Sequence, residues 1–158
     1  GHRRNILADE PSHIGMGIVV RDDGKRRRLW LTQLFAKPAL TIDAATVEAQ
    51  IADRVTEARA AQGLPALQSD AALAGVARET AAAAQPEAFA GIAQAASQAA
   101  KDRDLFVGSL SAVAALTADP GRIALPPAAV AADARKFAVG AASMADSAQF
   151  AVVLMVLK

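Results

Sequence analysis

The chain has 158 residues, which is enough for one domain or for one domain with part of another. Its 17 basic and 16 acidic residues give a formal net charge of +1. This balance argues against a nucleic-acid-binding surface, which normally carries a large basic excess. There are no cysteines, so disulfide frameworks and thiolate metal sites are excluded. The apolar run 150–157 is far shorter than the ~20 residues of a membrane helix, so we predict a protein that does not span a membrane.

The first predicted element is a β-hairpin. Residues 14–20 and 29–36 are rich in β-branched and aromatic side chains, and an Asp-Gly turn in the segment 21–25 separates them. Four basic residues, 25–28, follow the turn. We interpret this run as a solvated strand end rather than as an anion-binding patch, because charge runs usually face solvent.

Helical spacing replaces this alternation from Asp43 onward. Val47, Ile51, Val55 and Ala58 form an apolar stripe, and five charged residues lie elsewhere around the helix: Glu48, Asp53, Arg54, Glu57 and Arg59. The helix is predicted to stop at Gly63.

Further helices and a second hairpin are predicted beyond that stop. Ser69 is predicted to cap the second helix, and Pro86 to open a third that ends near Ala100. The alanine-rich segment 109–118 is also predicted to be helical, and Phe106-Val107 to be a short strand. The two apolar runs 137–143 and 150–157 are predicted to form the second hairpin through residues 145–147.

The two predicted hairpins resemble each other. Residues 13–19 align with residues 136–142, and residues 31–35 have their counterpart near 151–155. A repeat at a spacing of about 120 residues indicates tandem domains rather than a solenoid.

Three segments form a recognisable series: Gly-His-Arg-Arg-Asn-Ile-Leu at 1–7, Ile-Gly-Met-Gly-Ile-Val at 14–19, and the Trp-x-x-Gln-x-Phe pattern within 29–36. Together they resemble the closing third of a CAP (SCP-like) domain, the superfamily of cysteine-rich secretory, antigen-five and pathogenesis-related proteins. The family shows a helix end, a Gly-x-Gly strand and a closing strand in this order. The resemblance implies that residues 1–38 are the end of a preceding CAP domain.

The middle of the chain resembles the front of a second copy. Residues 55–67 are similar to the family's opening helix and its Gly-Leu-x-x-Leu exit, and residues 70–81 are similar to its second helix. The segment Asp-Pro-Gly-Arg at 119–122 resembles the family's Ser-Pro-Gly-His-Arg without the histidine. The implied fold class is α/β (α+β): residues 41–158 form a degenerate CAP-like domain, a three-layer α-β-α sandwich, with an extra N-terminal β-hairpin.

The resemblance also implies where a metal site would lie. The family's pocket combines two histidines and two carboxylates, a set suited to zinc or a similar divalent ion. Here Thr80 replaces one histidine, the other is missing at Gly121-Arg122, and the segment 86–118 has no Gly-Glu-Asn pattern. We therefore expect no cofactor in this chain; a divalent metal such as zinc would belong to an intact first copy. His2 is the single metal ligand carried over, and its partners would belong to a more complete first copy.

No catalytic or cofactor-binding residue is predicted. Ser97, Ser109 and Ser111 lack a nucleophile-elbow setting, and both histidines fall within the first 13 residues. No glycine-rich turn leads into Lys-Ser or Lys-Thr, so a phosphate-binding loop is absent from the sequence.

The resemblance implies a secreted, periplasmic or cell-surface protein, of bacterial type, that acts as a non-enzymatic binding or interaction module. Two alternatives stay open: a metal-assisted hydrolase that uses His2 in the first copy, and a binder of a small apolar ligand such as a lipid or sterol between the alanine-rich helices. The partner is a protein or a small apolar ligand, not a nucleic acid. Residues 1–36 are expected to pack on the second domain, to associate with another copy, or to be completed by an N-terminal fragment, because an isolated hairpin leaves apolar surface uncovered.

Overall fold

The computed structural model describes residues 13–22, 24, 26–36, 42–144 and 148–158 of the chain. The chain divides into two compact units, residues 1–40 and 41–158. The described residues contain three α-helices and two sheets, one of two strands and one of four, so the predicted mixed α/β class is confirmed.

The first unit contains the predicted hairpin. Strands β1 (His13–Asp22) and β2 (Arg27–Ala36) pair antiparallel, with Gly17 opposite Thr32. Opposed residues project to the same side of a sheet, so the hairpin has two distinct faces. We call one the glycine face: His13, Gly15, Gly17, Val19 and Arg21 with Arg28, Trp30, Thr32, Leu34 and Ala36. We call the other the aliphatic face: Ile14, Met16, Ile18, Val20 and Asp22 with Arg27, Leu29, Leu31, Gln33 and Phe35.

The second unit alternates helices and strands. Its helices are α1 (Ala44–Ala60), α2 (Ala71–Ala82) and α3 (Ile92–Asp102). Its strands are β3 (Gln68–Ser69), β4 (Leu110–Thr117), β5 (Lys136–Ser143) and β6 (Phe150–Leu157). Short 3₁₀ turns cover Pro86–Gly91, Pro120–Arg122 and Pro127–Val130.

The four-stranded sheet has the order β3-β5-β6-β4, with β3 parallel to β5 and the other pairs antiparallel. The predicted second hairpin is therefore confirmed as β5–β6, although its predicted turn, residues 145–147, lies outside the described residues. Helices pack on both faces of this sheet. On one face α1 buries Val47, Ile51 and Val55 against odd-numbered residues of β5, and on the other α2 and α3 bury leucine, valine, isoleucine and alanine side chains.

Local hydrogen bonds determine where α1 and α2 begin and end. Asp43 caps α1 by accepting the Thr46 N–H at 2.7 Å, and Gly63 follows the helix at φ +69°, a conformation that favours glycine. The carboxylate of Asp70 caps α2 by accepting the N–H groups of Ala72 and Leu73, each at 3.1 Å. The prediction that Ser69 caps this helix is wrong, because Ser69 is paired in β3.

The segment 109–118 is an edge strand and not the helix that its alanine content predicts. Residues Leu110–Thr117 pair with β6 along their whole length. Helix propensity is a weak preference, and pairing with a buried strand overrides it. The predicted short strand at Phe106-Val107 is also wrong, since these residues form an irregular turn that leads to Gly108 at φ +109°.

Helix α2 crosses β5 with almost no space between the two backbones. A Cβ atom built on Gly140 would lie 2.2 Å from the carbonyl carbon of Ala77 and 2.2 Å from the backbone nitrogen of Arg78. No side chain fits at this position, so Gly140 allows the helix to approach the strand this closely.

Candidate functional site

The residues that the family resemblance implicates do not form a metal site in the described part of the chain. His2 lies outside the described residues. The Thr80 hydroxyl donates to the Val76 carbonyl oxygen of its own helix at 2.8 Å, and Arg122 pairs with Asp119 at 3.3 Å. Among residues 13–22, 24, 26–36, 42–144 and 148–158, no group of three or more histidine, aspartate and glutamate side chains is placed to hold a metal ion.

The open edge of β5 lies close to several polar groups. The Met144 N–H donates to the Gln149 carbonyl oxygen at 2.9 Å, so the even-numbered residues of β5 exchange hydrogen bonds with β6. The odd-numbered residues therefore direct their N–H and C=O groups to the opposite edge. There β3 reaches only as far as Phe137, whose carbonyl oxygen accepts the Asp70 N–H at 2.9 Å.

Glu48 occupies the far end of this edge. Its Oε1 accepts the backbone N–H of Ala141 at 3.1 Å, so a side chain of α1 replaces the missing strand at that residue. Between the two ends lies Val139, where the strand edge is left without a neighbouring strand in the described structure. At Val139, which is 6 % exposed, the backbone therefore has no described strand to pair with on this side.

Arg78 of α2 binds the same carboxylate. Its Nε lies 2.9 Å from Oε1 of Glu48 and its Nη2 lies 2.7 Å from Oε2. This bidentate ion pair joins α1 to α2 across the strand edge. The Glu48 side chain is 14 % exposed and the Arg78 side chain 56 %. The hydrogen bond to Glu48, and then its negative charge, raise the pKa of Arg78 above its ordinary value.

A groove of about 270 Å³ follows this edge. Alanines of α1 and α2 form its walls, Phe137 and Val139 its floor, and Ser69 and the Glu48–Arg78 pair contribute polar groups. Its lining consists of Ala45, Glu48, Ala49, Ala52, Ser69, Ala74, Arg78, Phe137 and Val139. Small apolar walls beside an unpaired strand edge suit a narrow ligand with amide groups.

Arg59 is a structural residue of the same unit. It is fully buried, donating from Nε to Pro65 O at 2.7 Å and from Nη1 to Ala129 O at 3.0 Å and Ala131 O at 2.9 Å. These bonds tie α1 to its exit loop and to the 3₁₀ turn that follows Pro126. Its Nη2 is buried without a protein partner.

Sequence reasoning placed Glu48 and Arg59 away from the apolar stripe of α1, whereas Glu48 is partly buried at the strand edge and Arg59 is fully buried. The signal for Arg59 was present, since it continues the four-residue spacing of Val47, Ile51 and Val55. For Glu48 no local pattern exists, because its partners lie 30 and 93 residues away in the chain.

No protein-family model, curated protein or solved structure matches this chain. The CAP resemblance therefore stays a hypothesis that rests on the quoted motifs. None of the helices in the described ranges combines the length and apolarity needed to cross a bilayer.

Proposed function

We propose that residues 41–158 are a degenerate CAP-like sandwich domain that acts as a non-enzymatic binding or interaction module in an exported protein. Two observations support the family assignment: the segments 55–67 and 70–81 that resemble CAP helices coincide with the end of α1 and with α2, and helices cover both faces of one sheet. The Thr80 hydroxyl, at a position where the family has a metal ligand, is bonded within its own helix.

The binding site in this proposal is the groove at the β5 edge. The observation that carries it is the gap in strand pairing at Val139, between β3 at one end and the Glu48 carboxylate at the other. An extended peptide segment would add to the edge there through its backbone, and the alanine walls would accept small side chains. Metal ions have no part in this mode of binding.

A titration followed by NMR tests the groove. The probe is the blocked peptide N-acetyl-tetra-alanine amide, and we expect saturable shifts of the Val139 and Ala141 amide signals. Ala49→Phe fills the groove and should abolish them, whereas Ala60→Phe, on an exposed position of α1 outside the groove, should not. Shifts that are absent, or equal in the two variants, would reject this site.

A zinc titration separates the module from the hydrolase alternative. We expect the chain to bind no stoichiometric Zn²⁺ in calorimetry at neutral pH. Tight one-to-one binding that disappears in His2→Ala would instead favour the metal-dependent interpretation.

A further inference from the structure

The two hairpins of the chain can be superposed residue by residue through their pairing registers. Gly17 pairs with Thr32 in the first, and Gly140 pairs with Val153 in the second. With Gly17 placed on Gly140, the glycine face corresponds to the side of β5–β6 that α2 covers, which carries Ala138, Ala151, Val153 and Met155.

The glycines show what each face can accept. At Gly140 the backbone of α2 occupies the position of a Cβ atom, whereas at Gly17 nothing lies within 4 Å of such an atom. At Gly15 only the Leu34 Cβ is that near, at 3.9 Å. Glycine is unfavourable inside a strand unless a backbone comes close, so two glycines on one face indicate a position for a crossing helix.

The apolar side chains of the first hairpin are uncovered. Val19, Trp30 and Leu34 of the glycine face are 63, 47 and 67 % exposed. Their counterparts in the second hairpin are less exposed: Ala142 is partly buried, and Ala151 and Met155 are each 0 % exposed. Large apolar side chains that are exposed together on one face are typical of an interaction site.

Charge gives the orientation of a docked helix. Arg21 and Arg28 lie opposite each other at one end of the glycine face, where like charges repel. Their counterparts are Met144 and Gln149, and the C-terminal end of α2, at Ala81 and Ala84, borders the same cavity as Met144. A helix C-terminus carries partial negative charge, so an equivalent helix would bring its negative end to the two arginines.

We propose that the glycine face of β1–β2 is a docking surface for an amphipathic α-helix of a partner polypeptide. This helix has a small residue where it crosses Gly17 and acidic residues at its C-terminal end, over Arg21 and Arg28. The proposal concerns the first unit and is independent of the groove at β5.

A surrogate helix tests the proposal on the full chain. The probe is a synthetic peptide of the sequence 70–84, extended by two glutamates at its C-terminus and stapled through the positions of Arg78 and Ala82, which are exposed in α2. Trp30 is the only tryptophan of the chain and lies on the glycine face, so its emission reports docking directly. We expect a saturable blue shift with micromolar affinity.

Matched variants on the two faces decide the outcome. Gly17→Val, which favours the strand and meets no neighbour in the free hairpin, should weaken binding at least ~10-fold, and Arg21→Glu with Arg28→Glu should weaken it further as salt is lowered. Met16→Ala, on the aliphatic face, should change it less than ~2-fold.

Three results would overturn the proposal: no saturable shift, equal affinity for the Gly17→Val variant, or a Trp30 emission that is already blue-shifted in a sedimenting dimer. The last result would assign the glycine face to a second copy of the chain. Circular dichroism of each variant checks that its hairpin and helices are retained.

Discussion

The hairpins β1–β2 and β5–β6 have the same pairing geometry but opposite surroundings. On β5–β6 one face is covered by α1 and the other by α2 and α3, and Val139 and Ala141 are each 6 % exposed. The equivalent residues of β1, Met16 and Ile18, are 68 and 60 % exposed. The hairpin alone therefore does not define a stable layer; the helices that cover it do.

The comparison depends most strongly on Gly140 and its counterpart Gly17. Gly140→Val would drive side-chain atoms into the backbone of α2 at Ala77 and Arg78, and we expect a loss of at least about 3 kcal/mol in the free energy of unfolding of the second unit. Gly17→Val in the same chain should cost nothing measurable. Urea unfolding followed by circular dichroism measures both, and similar losses in the two variants would show that the hairpins are not differently covered.

Arg59 tests how α1 is held over β5–β6. Arg59→Met keeps much of the side-chain volume but removes the donors for the carbonyl oxygens of Pro65, Ala129 and Ala131. We expect a destabilisation of about 3 kcal/mol, because buried acceptors then lose their partners. Arg54→Met serves as a control, since Arg54 makes a single bond, to Pro120 O at 2.8 Å. An equal loss in both variants would contradict the structural role of Arg59.

Glu48 tests the contact that joins α1 to Arg78 of α2 and to the edge of β5. The first hairpin has no such contact in the described structure. Glu48→Ala should cost about 1–2 kcal/mol, because the Ala141 N–H and Arg78 lose their acceptor. Glu48→Gln keeps an acceptor for Ala141 and should cost roughly half as much, since Arg78 is more than half exposed and its ion pair is weakened by solvent. Thermal melts at low and high salt distinguish the hydrogen bond to Ala141 from the ion pair with Arg78. If Glu48→Gln destabilises the protein as much as Glu48→Ala does, the charge alone accounts for the effect.

Acid should weaken the start of α2 and thus the cover over Gly140. Hydrogen bonds from the Leu73 N–H and then from Lys136 hold the pKa of Asp70 below its ordinary value. A lowered folded-state pKa means that this stabilisation is complete above the unfolded pKa of ~3.9 and is lost as pH falls through the folded value. We expect a loss of about 1 kcal/mol from this group below pH ~4.

The variant Asp70→Asn provides the control for the acid effect, because asparagine also caps helices but does not titrate. Between pH 5 and pH 3 the free energy of unfolding of this variant should fall less than that of the unmodified chain. The difference between the two falls should be about the capping contribution of the Asp70 carboxylate. Parallel pH profiles for the two proteins would contradict a role for the Asp70 carboxylate.

Elements with strong local signals were predictable from the sequence. The β1–β2 hairpin follows from its Asp-Gly turn between β-branched runs, and α1 follows from Asp43 and the stripe of Val47, Ile51 and Val55. Strand β4 was not predictable, because its alanines and leucines favour a helix in isolation and become a strand only beside β6.

The candidate site was even less predictable from local sequence signals. Glu48 and Arg78 are ordinary charged residues of two helices, and only the fold brings them to the edge of β5. The motifs that were visible in the sequence led instead to His2 and Thr80. His2 lies outside the described residues, and Thr80 is bonded within its helix.

The free side of β4 has a consequence for handling the protein in solution. This outer strand of eight residues carries no charged side chain and no proline, and no described strand pairs with its outer side. Natural proteins usually guard such strands with lysine or proline, because an unguarded one recruits further chains into a growing sheet. We therefore expect concentrated solutions of the protein to aggregate at temperatures at which the domain is still folded.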